Sequence, residues 1–159
     1  MTTQAKKPLD EEYPHDQPLI VVASNRGPFS FTAQPGGKFE ARRGAGGLVT
    51  ALSGIAERYG ILWIAAALDQ GDAQWAAQHP AGAQVEEMRL RLLALDPKRY
   101  NLYYNVVANP LLWFIQHQLW DIPRTPSIDA ETWQAWYNGY VHVNRQFAEA
   151  IADSVAHVR

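Results

Sequence analysis

Two short apolar runs, LIVVAS at residues 19–24 and ILWIAAAL at residues 61–68, constrain the fold of this chain most strongly. Continuous apolar segments of this length, rich in branched residues, are typical of strands covered on both faces of a parallel sheet. Between them, residues 47–59 carry apolar side chains at helical spacing, and Gly60 is expected to end that helix. A strand, a helix and a strand in this order predict an α/β fold with a largely parallel sheet.

The segments between and after these runs complete the predicted fold. PGG at residues 35–37 separates two alternating segments and predicts a β-hairpin insertion. A short helix is expected after Leu68, capped by Asp69 or Asp72, and residues 85–95 are expected to form a strand. With the strands above, these segments predict an α/β domain with a largely parallel sheet and a hairpin insertion, and the small number of strong strands suggests part of a larger domain.

The second half of the chain is predicted to be mostly helical. One helix is expected to open at Asp96-Pro97 and another over residues 108–121, with a break near Asn109-Pro110. Pro123 and Pro126 predict a loop. After it, apolar residues at three- and four-residue steps predict one long helix, and they are Trp136, Tyr140, Val143 and Phe147.

Composition excludes several classes of protein. The net charge of −2 gives no sign of a nucleic-acid footprint, and the absence of cysteine excludes disulfide frameworks and thiolate zinc sites. No run is long enough to span a membrane, and the five histidines lack the spacing of metal ligands. Residues 1–17 have no signal-peptide pattern and are expected to form a flexible tail, so a cytoplasmic location is expected.

The residues that end the first strand indicate a site for an anion. Arg26 follows that strand, where open α/β sheets bind ligands, and its guanidinium can hold a phosphate or carboxylate in a bidentate contact. Gly46 and Gly47 open the next helix, where backbone N–H groups and the helix dipole favour an anion. The alternative is that the glycines only form a turn. Arg42 and Arg43 either add positive potential or are simply solvated.

Aromatic residues indicate a second feature of the site. Tyr104 and Trp113 lie nine residues apart and offer both flat faces and hydrogen-bonding groups, which suits a sugar. The alternative is that the aromatic residues belong to the core, which is the interpretation preferred for Trp120 and Trp133. His117 is expected to be a satisfied core or supporting group rather than a base.

Four motifs in order resemble the N-terminal part of the trehalose-6-phosphate synthases. They are VVASNRGP, GAGGLVTAL, LYYNVVANPLLWFIQH and WQAWYNGYVHVNRQFAEAI, within residues 19–152. The resemblance implies a retaining glycosyltransferase of the GT-B architecture, with two Rossmann-like domains. Residues 18–159 would be part of the N-terminal, acceptor-side Rossmann-like domain. It implies transfer of glucose from a nucleotide sugar, typically UDP-glucose, to glucose 6-phosphate, with no metal or other cofactor.

The resemblance also implies roles for individual residues. Arg26 corresponds to the arginine that contacts the acceptor phosphate, and Tyr104 and Trp113 correspond to residues around the acceptor. Gly47 corresponds to the glycine beside the donor diphosphate, with Gly46 preceding it. These are residues that the chemistry of the sequence singles out as well.

The chain departs from the family pattern at Ala66, where the family commonly has a tryptophan that touches the acceptor sugar. This leaves open a different phosphorylated acceptor, as in the related pseudo-glycosyltransferase of the validamycin pathway. The intact Arg26 and glycine pair favour the ordinary synthase.

The second departure is that the sequence stops at Arg159, before the family's His-Asp-Tyr-His strand and its donor domain. The catalytic residues are expected beyond Arg159, and these 159 residues alone are expected to be inactive. Two further alternatives are a non-catalytic sugar-phosphate-binding module and a fragment without activity. The full-length form could be a homo-oligomer.

Overall fold

The computed structural model describes residues 18–56, 59–119 and 126–156. The predicted tail at residues 1–17 and the loop position Pro123 lie outside these ranges. The described chain divides into two compact units, of which the first comprises residues 18–94 with residues 150–156 and the second comprises residues 95–149. Each unit is described by itself below.

The first unit contains a four-stranded sheet and a separate hairpin. Its elements in chain order are β1 (Leu19–Arg26), β2 (Phe29–Gln34), β3 (Lys38–Arg43), α1 (Gly47–Ser53), β4 (Gly60–Ala66), α2 (Gln70–Gln78), β5 (Ala83–Val85) and β6 (Met88–Leu93). The sheet order is β1-β4-β6-β5, in which β1, β4 and β6 run parallel and β5 is antiparallel to β6. The α/β class and the largely parallel sheet are therefore confirmed.

The two apolar runs occupy different positions in this sheet. All seven residues of β4 are buried, as expected for a strand with a neighbour on each side and both faces covered. The same expectation for β1 is wrong. Within the described chain β1 pairs with β4 alone, so it forms an edge, its residues are mostly half-buried and Ala23 is exposed.

The predicted hairpin is confirmed as the antiparallel pair β2–β3. Gly36 and Gly37 have φ angles of 82° and 75°, which glycine adopts without steric cost, and they turn the chain between the strands. Phe29 and Phe31 alternate with exposed residues and pack into the core of the unit. Phe31 stacks on Trp75 of α2 with the ring centroids 4.3 Å apart. The hairpin is thus part of the core rather than a loose excursion.

The short elements differ in detail from the expectations. Helix α1 ends at Ser53 with Gly54 as its C-cap, whereas Gly60 is the first residue of β4, so the predicted helix end at Gly60 is wrong. Asp69 caps α2 by accepting a hydrogen bond from the Asp72 backbone N–H at 2.8 Å. The strand expected over residues 85–95 is β6, preceded by the unpredicted β5.

The second unit is built from helical segments. They are α3 (Pro97–Asn101), a π-helical segment (Leu102–Leu112), α4 (Trp113–Gln116), α5 (Ala130–Ala135), a second π-helical segment (Trp136–Val141) and α6 (His142–Val155), whose last residues belong to the first unit. The long C-terminal helix is confirmed. The predicted break near Asn109-Pro110 is wrong, because the wide π turn accommodates Pro110.

The two π-helical segments touch at Gly139. A Cβ atom there would lie 2.5 Å from the Leu102 Cβ and 2.6 Å from the Tyr103 backbone nitrogen. Only a residue without a side chain permits this approach. Gly139 is therefore a packing requirement of the second unit. None of the described helices combines the length and apolar character needed to cross a membrane.

Candidate functional site

Arg26 reaches the carboxyl edge of the sheet through a β-bulge. Ser24 pairs with Ala65 and Arg26 pairs with Ala66, so two steps along β1 match one step along β4 and Asn25 is the extra residue. Bulges bend a strand and re-aim the side chain that follows. The expected position of Arg26 at a strand end is confirmed, and the bulge sets the direction in which it leaves the sheet.

The strand end is tied to the core by two hydrogen bonds in series. The indole N–H of the buried Trp63 donates to Ser24 Oγ at 2.7 Å, and this hydroxyl donates to the Arg26 carbonyl oxygen at 2.8 Å. Trp63 lies in the central strand, so the backbone of Arg26 is fixed against the most buried part of the unit. The arginine therefore projects from a rigid base.

Arg26 lines a cleft of about 380 Å³ in the first unit. The strand ends contribute Arg26 and Ala66, and the hairpin contributes Ser30 and Arg42. The start of α2 completes the cleft with two acidic residues, Asp69 and Asp72. Ala66 is only 1% exposed, yet it forms part of the wall at the position where the resembling family carries tryptophan.

Asp72 joins the hairpin to the helix behind it. Its carboxylate is 4% exposed and accepts hydrogen bonds from the backbone N–H groups of Phe31 at 2.8 Å and Leu68 at 3.1 Å. Burial raises the pKa of Asp72, and this effect outweighs the two hydrogen bonds. The sequence suggests Asp72 only as a helix cap. Its contact with Phe31, 41 residues away, is invisible to local patterns.

Gly71 brings α2 into direct contact with the hairpin backbone. A Cβ at this position would lie 1.8 Å from the Phe31 carbonyl oxygen, far inside contact distance. The Asp72 hydrogen bond and the close contact of Gly71 both involve the backbone of Phe31 in β2. Together they hold the hairpin wall of the cleft in place.

Arg43 has a structural role that the sequence does not reveal. Its guanidinium pairs with the carboxylates of Glu86 and Glu87, the latter at 2.6 Å, and lies 5.5 Å from the centre of the Phe29 ring. Hydrogen bonding to Glu87 raises the pKa of Arg43. The suggestion that Arg43 is simply solvated is therefore wrong, since it connects the hairpin to the β5–β6 turn.

Gly46 and Gly47 begin α1 as expected, but they do not line the cleft. Gly46 is the N-cap with φ −75° and ψ 145°, and Gly47 is the first helical residue. Within residues 18–56, 59–119 and 126–156, a Cβ at Gly47 would meet nothing within 4 Å, and one at Gly46 would touch only Val49, at 3.9 Å. Neither packing nor backbone conformation requires glycine here. The glycine pair directly follows Gly44 and Ala45, which line the cleft that holds Arg26, but is not itself part of that lining.

Tyr104 and Trp113 lie in the second unit. Tyr104 is half-buried and stacks on Tyr100 with centroids 5.9 Å apart. Trp113 is 50% exposed and stacks on His117, whose Nδ1 lies 2.8 Å from the Trp113 carbonyl oxygen. His117 has a hydrogen-bond partner, as expected, but it is exposed rather than in the core.

The core assignment of Trp133 is wrong, and Trp120 lies outside the described residues. Trp133 is 53% exposed and stacks on Tyr137, which is also exposed. Trp133 therefore lies on the exposed face of α5. In the described ranges no group of three or more histidine, aspartate or glutamate residues is arranged to hold a metal ion.

The pH dependence of stability should carry opposite signs at Asp72 and Asp129. Burial raises the Asp72 pKa, so its stabilising contribution is full below the ordinary value of 3.8 and is lost as the pH rises through the raised value. In urea denaturation across the acid range, the advantage of the wild type over Asp72→Asn should therefore shrink as the pH increases.

Asp129 provides the matched comparison for Asp72. Hydrogen bonds from Thr132 lower the pKa of Asp129, which caps α5, so its contribution is present above 3.8 and is lost as the pH falls through the lowered value. The advantage of the wild type over Asp129→Asn should grow as the pH increases. If the stability difference from the wild type changed with pH in the same direction for both variants, burial would not be the dominant influence on the Asp72 pKa.

The chain is similar to one protein family and to curated members of it. The family model of glycosyltransferase family 20 matches residues 18–157. The trehalose-6-phosphate synthase of Mycobacterium ulcerans is 32% identical over 154 residues, covering 96% of this chain and 29% of that protein. The UDP-forming alpha,alpha-trehalose-phosphate synthase A of Dictyostelium discoideum is 29% identical over 140 residues, covering 84% of this chain and 17% of that protein. The chain spans less than a third of these curated relatives.

Solved structures agree in fold. An E. coli trehalose-6-phosphate structure bound with UDP-2-fluoro glucose has a TM-score of 0.53 at 22% identity, covering 87% of this chain and 24% of that one. A UDP-forming alpha,alpha-trehalose-phosphate synthase from Burkholderia vietnamiensis has a TM-score of 0.54 at 22% identity, covering 86% and 24%. The α/β unit described here therefore occurs in this group of enzymes.

Proposed function

Because this chain belongs to glycosyltransferase family 20, we propose that it forms the acceptor side of an enzyme that transfers glucose from UDP-glucose to glucose 6-phosphate. The observation that carries the proposal is Arg26. A bulge anchored by Trp63 delivers it into a cleft at the carboxyl end of a parallel sheet. Such an edge is where α/β folds bind ligands, and a guanidinium suits a phosphate there.

Arg26 of the first unit is proposed to bind the phosphate of the acceptor. Tyr104 and Trp113 of the second unit are each proposed for the acceptor-sugar role that the family resemblance implies. Among the described residues the guanidinium of Arg26 has no hydrogen-bond or ion-pair partner, so its donors are available to a ligand. Trp113 exposes half of its surface, and an exposed indole offers a flat apolar face to a sugar. No metal ion is proposed in the transfer, so activity should persist in a chelator.

The proposed donor site takes the UDP-glucose diphosphate at Gly46 and Gly47. Among the described residues no contact requires glycine at either position, which is compatible with a bare backbone kept for a ligand. A bare backbone lets phosphate oxygens approach the N–H groups, which stabilises the charge that develops on the departing diphosphate.

Gly47→Ala should separate binding from folding. The added methyl group meets no described residue within 4 Å, so the free energy of unfolding should be unchanged or slightly higher. In a chain that also carries the family's second domain, the KM for UDP-glucose should rise about tenfold, as for the loss of one charge-assisted hydrogen bond. An unchanged donor KM would remove Gly47 from the proposed donor site.

A second candidate function follows from Ala66. The cleft wall next to Arg26 carries a methyl group instead of an indole, which leaves more space beside the proposed phosphate position. A bulkier or differently shaped phosphorylated acceptor would fit this space. Product analysis with glucose 6-phosphate and with other phosphorylated sugars and cyclitols, under identical donor conditions, decides between the two acceptors.

The proposed function is tested by calorimetric titration of the 159-residue chain. Glucose 6-phosphate should bind and unphosphorylated glucose should bind far more weakly, because the guanidinium contact requires the phosphate. In NMR spectra of the labelled chain, the amide signals of residues 24–27 should shift on addition of glucose 6-phosphate. Equal affinity for the two sugars would contradict the proposal.

A further inference from the structure

We propose that Arg42 is a second phosphate-binding residue of the cleft, and that Arg26 and Arg42 hold the dianionic phosphate of the acceptor between them. This inference rests on the proposed function and adds a contact that neither the sequence motifs nor the comparisons assign. It is carried by the position of Arg42, by the charges around the cleft and by the way the hairpin is fixed.

The hairpin places Arg42 in the same cleft as Arg26. Arg42 lies on β3 opposite Ser30 on β2, and both residues are exposed and line the cleft. Their neighbours Phe29 and Phe31 point into the core, so strand alternation turns residues 30 and 42 outward. Arg26 comes from the sheet and Arg42 from the hairpin, so a ligand in the cleft is approached by two guanidinium groups on different elements.

The other charged residues that line the cleft, Arg43, Asp69 and Asp72, each have a partner. Arg43 pairs with Glu86 and Glu87, and Asp72 accepts two backbone N–H hydrogen bonds. Asp69 caps α2. None of the described carboxylates lies within ion-pair distance of Arg26 or Arg42.

Two guanidinium groups at one cleft, neither with an ion-pair partner among the described residues, favour an anion of more than one charge. A phosphate monoester carries a charge of about −1.5 to −2 at neutral pH and three acceptor oxygens, which is enough for two bidentate contacts. A single carboxylate would neutralise one arginine only. The chemistry therefore points to the phosphate of the acceptor rather than to a carboxylate.

The hairpin holds Arg42 rigidly enough for this role. Gly71 and Asp72 fix β2 at Phe31, and Arg43, the next residue along β3, is paired with the β5–β6 turn. The backbone of Arg42 is thus held on both sides before a ligand arrives. Such preorganisation lowers the ordering cost of binding.

Calorimetric titration of the 159-residue chain with glucose 6-phosphate tests the proposal. Arg42→Ala should weaken binding about tenfold or more, which is the range for a hydrogen bond to a charged group. The affinity of Arg42→Lys should lie between those of the wild type and Arg42→Ala, since an ammonium provides the charge without the bidentate fork. Binding of unphosphorylated glucose should not change in either variant.

Lys38→Ala is the matched control. Lys38 lies on the same strand and in the same alternation as Arg42, is exposed, and does not line the cleft. Its removal changes the net charge equally and should alter affinity by less than about twofold. Circular dichroism melting curves of all variants should coincide, because neither the Arg42 nor the Lys38 side chain has an ion-pair partner among the described residues.

The outcomes separate this inference from the proposed function. If Arg42→Ala binds glucose 6-phosphate as Lys38→Ala does while Arg26→Ala loses affinity, the inference on Arg42 is wrong and the proposed function stands. If neither arginine variant loses affinity, or the wild-type chain does not bind glucose 6-phosphate, the acceptor site itself is wrong. A tenfold loss restricted to phosphorylated ligands in Arg42→Ala supports the pair of arginines.

Discussion

Gly71→Ala is expected to destabilise the first unit by about 3 kcal/mol, at the upper end of the cost of overpacking. Glycine inside a helix is normally less stable than alanine by about 1 kcal/mol, so the expected sign is reversed. The reason is the Phe31 carbonyl oxygen, which lies 1.8 Å from the position of the added Cβ. The methyl group must push β2 away from α2, which separates Asp72 from its hydrogen-bond donor. Urea denaturation of the purified chain measures the effect.

Gly47→Ala is the control for this measurement, because it also adds a methyl group in the first turn of a helix. The added group at Gly47 meets no described residue within 4 Å, so this variant should be as stable as the wild type or slightly more stable. NMR spectra of Gly71→Ala should show amide shifts along the hairpin that Gly47→Ala lacks. Equal stability of the two variants would show that α2 does not press on the hairpin backbone.

Arg26→Ala is expected to cost about 2–5 kcal/mol in binding of the phosphorylated acceptor, by analogy with the truncation of desolvated charge pairs. In calorimetry the variant should lose nearly all affinity for glucose 6-phosphate. In a chain with the family's second domain, the acceptor KM should rise far more than the KM for UDP-glucose. An unchanged acceptor constant would remove Arg26 from the acceptor site.

Arg26→Lys and the stability of the variants complete this test. A lysine at position 26 keeps the charge but loses the planar fork, so its affinity should lie between those of the wild type and Arg26→Ala. Arg26 is exposed, so neither variant should change the free energy of unfolding by more than about 0.5 kcal/mol. A large loss of stability would indicate that Arg26 supports the fold rather than the ligand.

The main elements of the fold could be predicted from local patterns. The apolar run ending at Ala66, the glycine turn at residues 36–37 and the helical spacing after residue 128 each encode their structure within a few residues. The position of Arg26 at a strand end followed from the same reasoning. These features depend on periodicity and turn chemistry, which a single sequence displays.

The features that shape the cleft depend on contacts between distant residues. The Asp72 carboxylate meets the Phe31 N–H 41 residues away, and Arg43 meets Glu87 at a similar separation. The edge position of β1 depends on which strands pair with it, and an apolar run in the sequence does not show how many strands lie beside it. Exposure of Trp133 likewise depends on what packs against α5, because helical spacing defines a face but not its partner.

Because of the bulge at Asn25, the direction in which Arg26 leaves β1 depends on the exact number of residues before it. Along an uninterrupted strand, odd and even positions face opposite sides, so deleting or inserting one residue before Arg26 would change the parity of every position between that point and the strand end. Ser24, Asn25 and Arg26 must therefore be inherited or transplanted as one block. In chimeras between family members, a junction placed before Ser24 or after Gly27 leaves the number of residues in the bulge unchanged. A junction inside the triplet that adds or removes a residue would change the direction in which Arg26 leaves the strand.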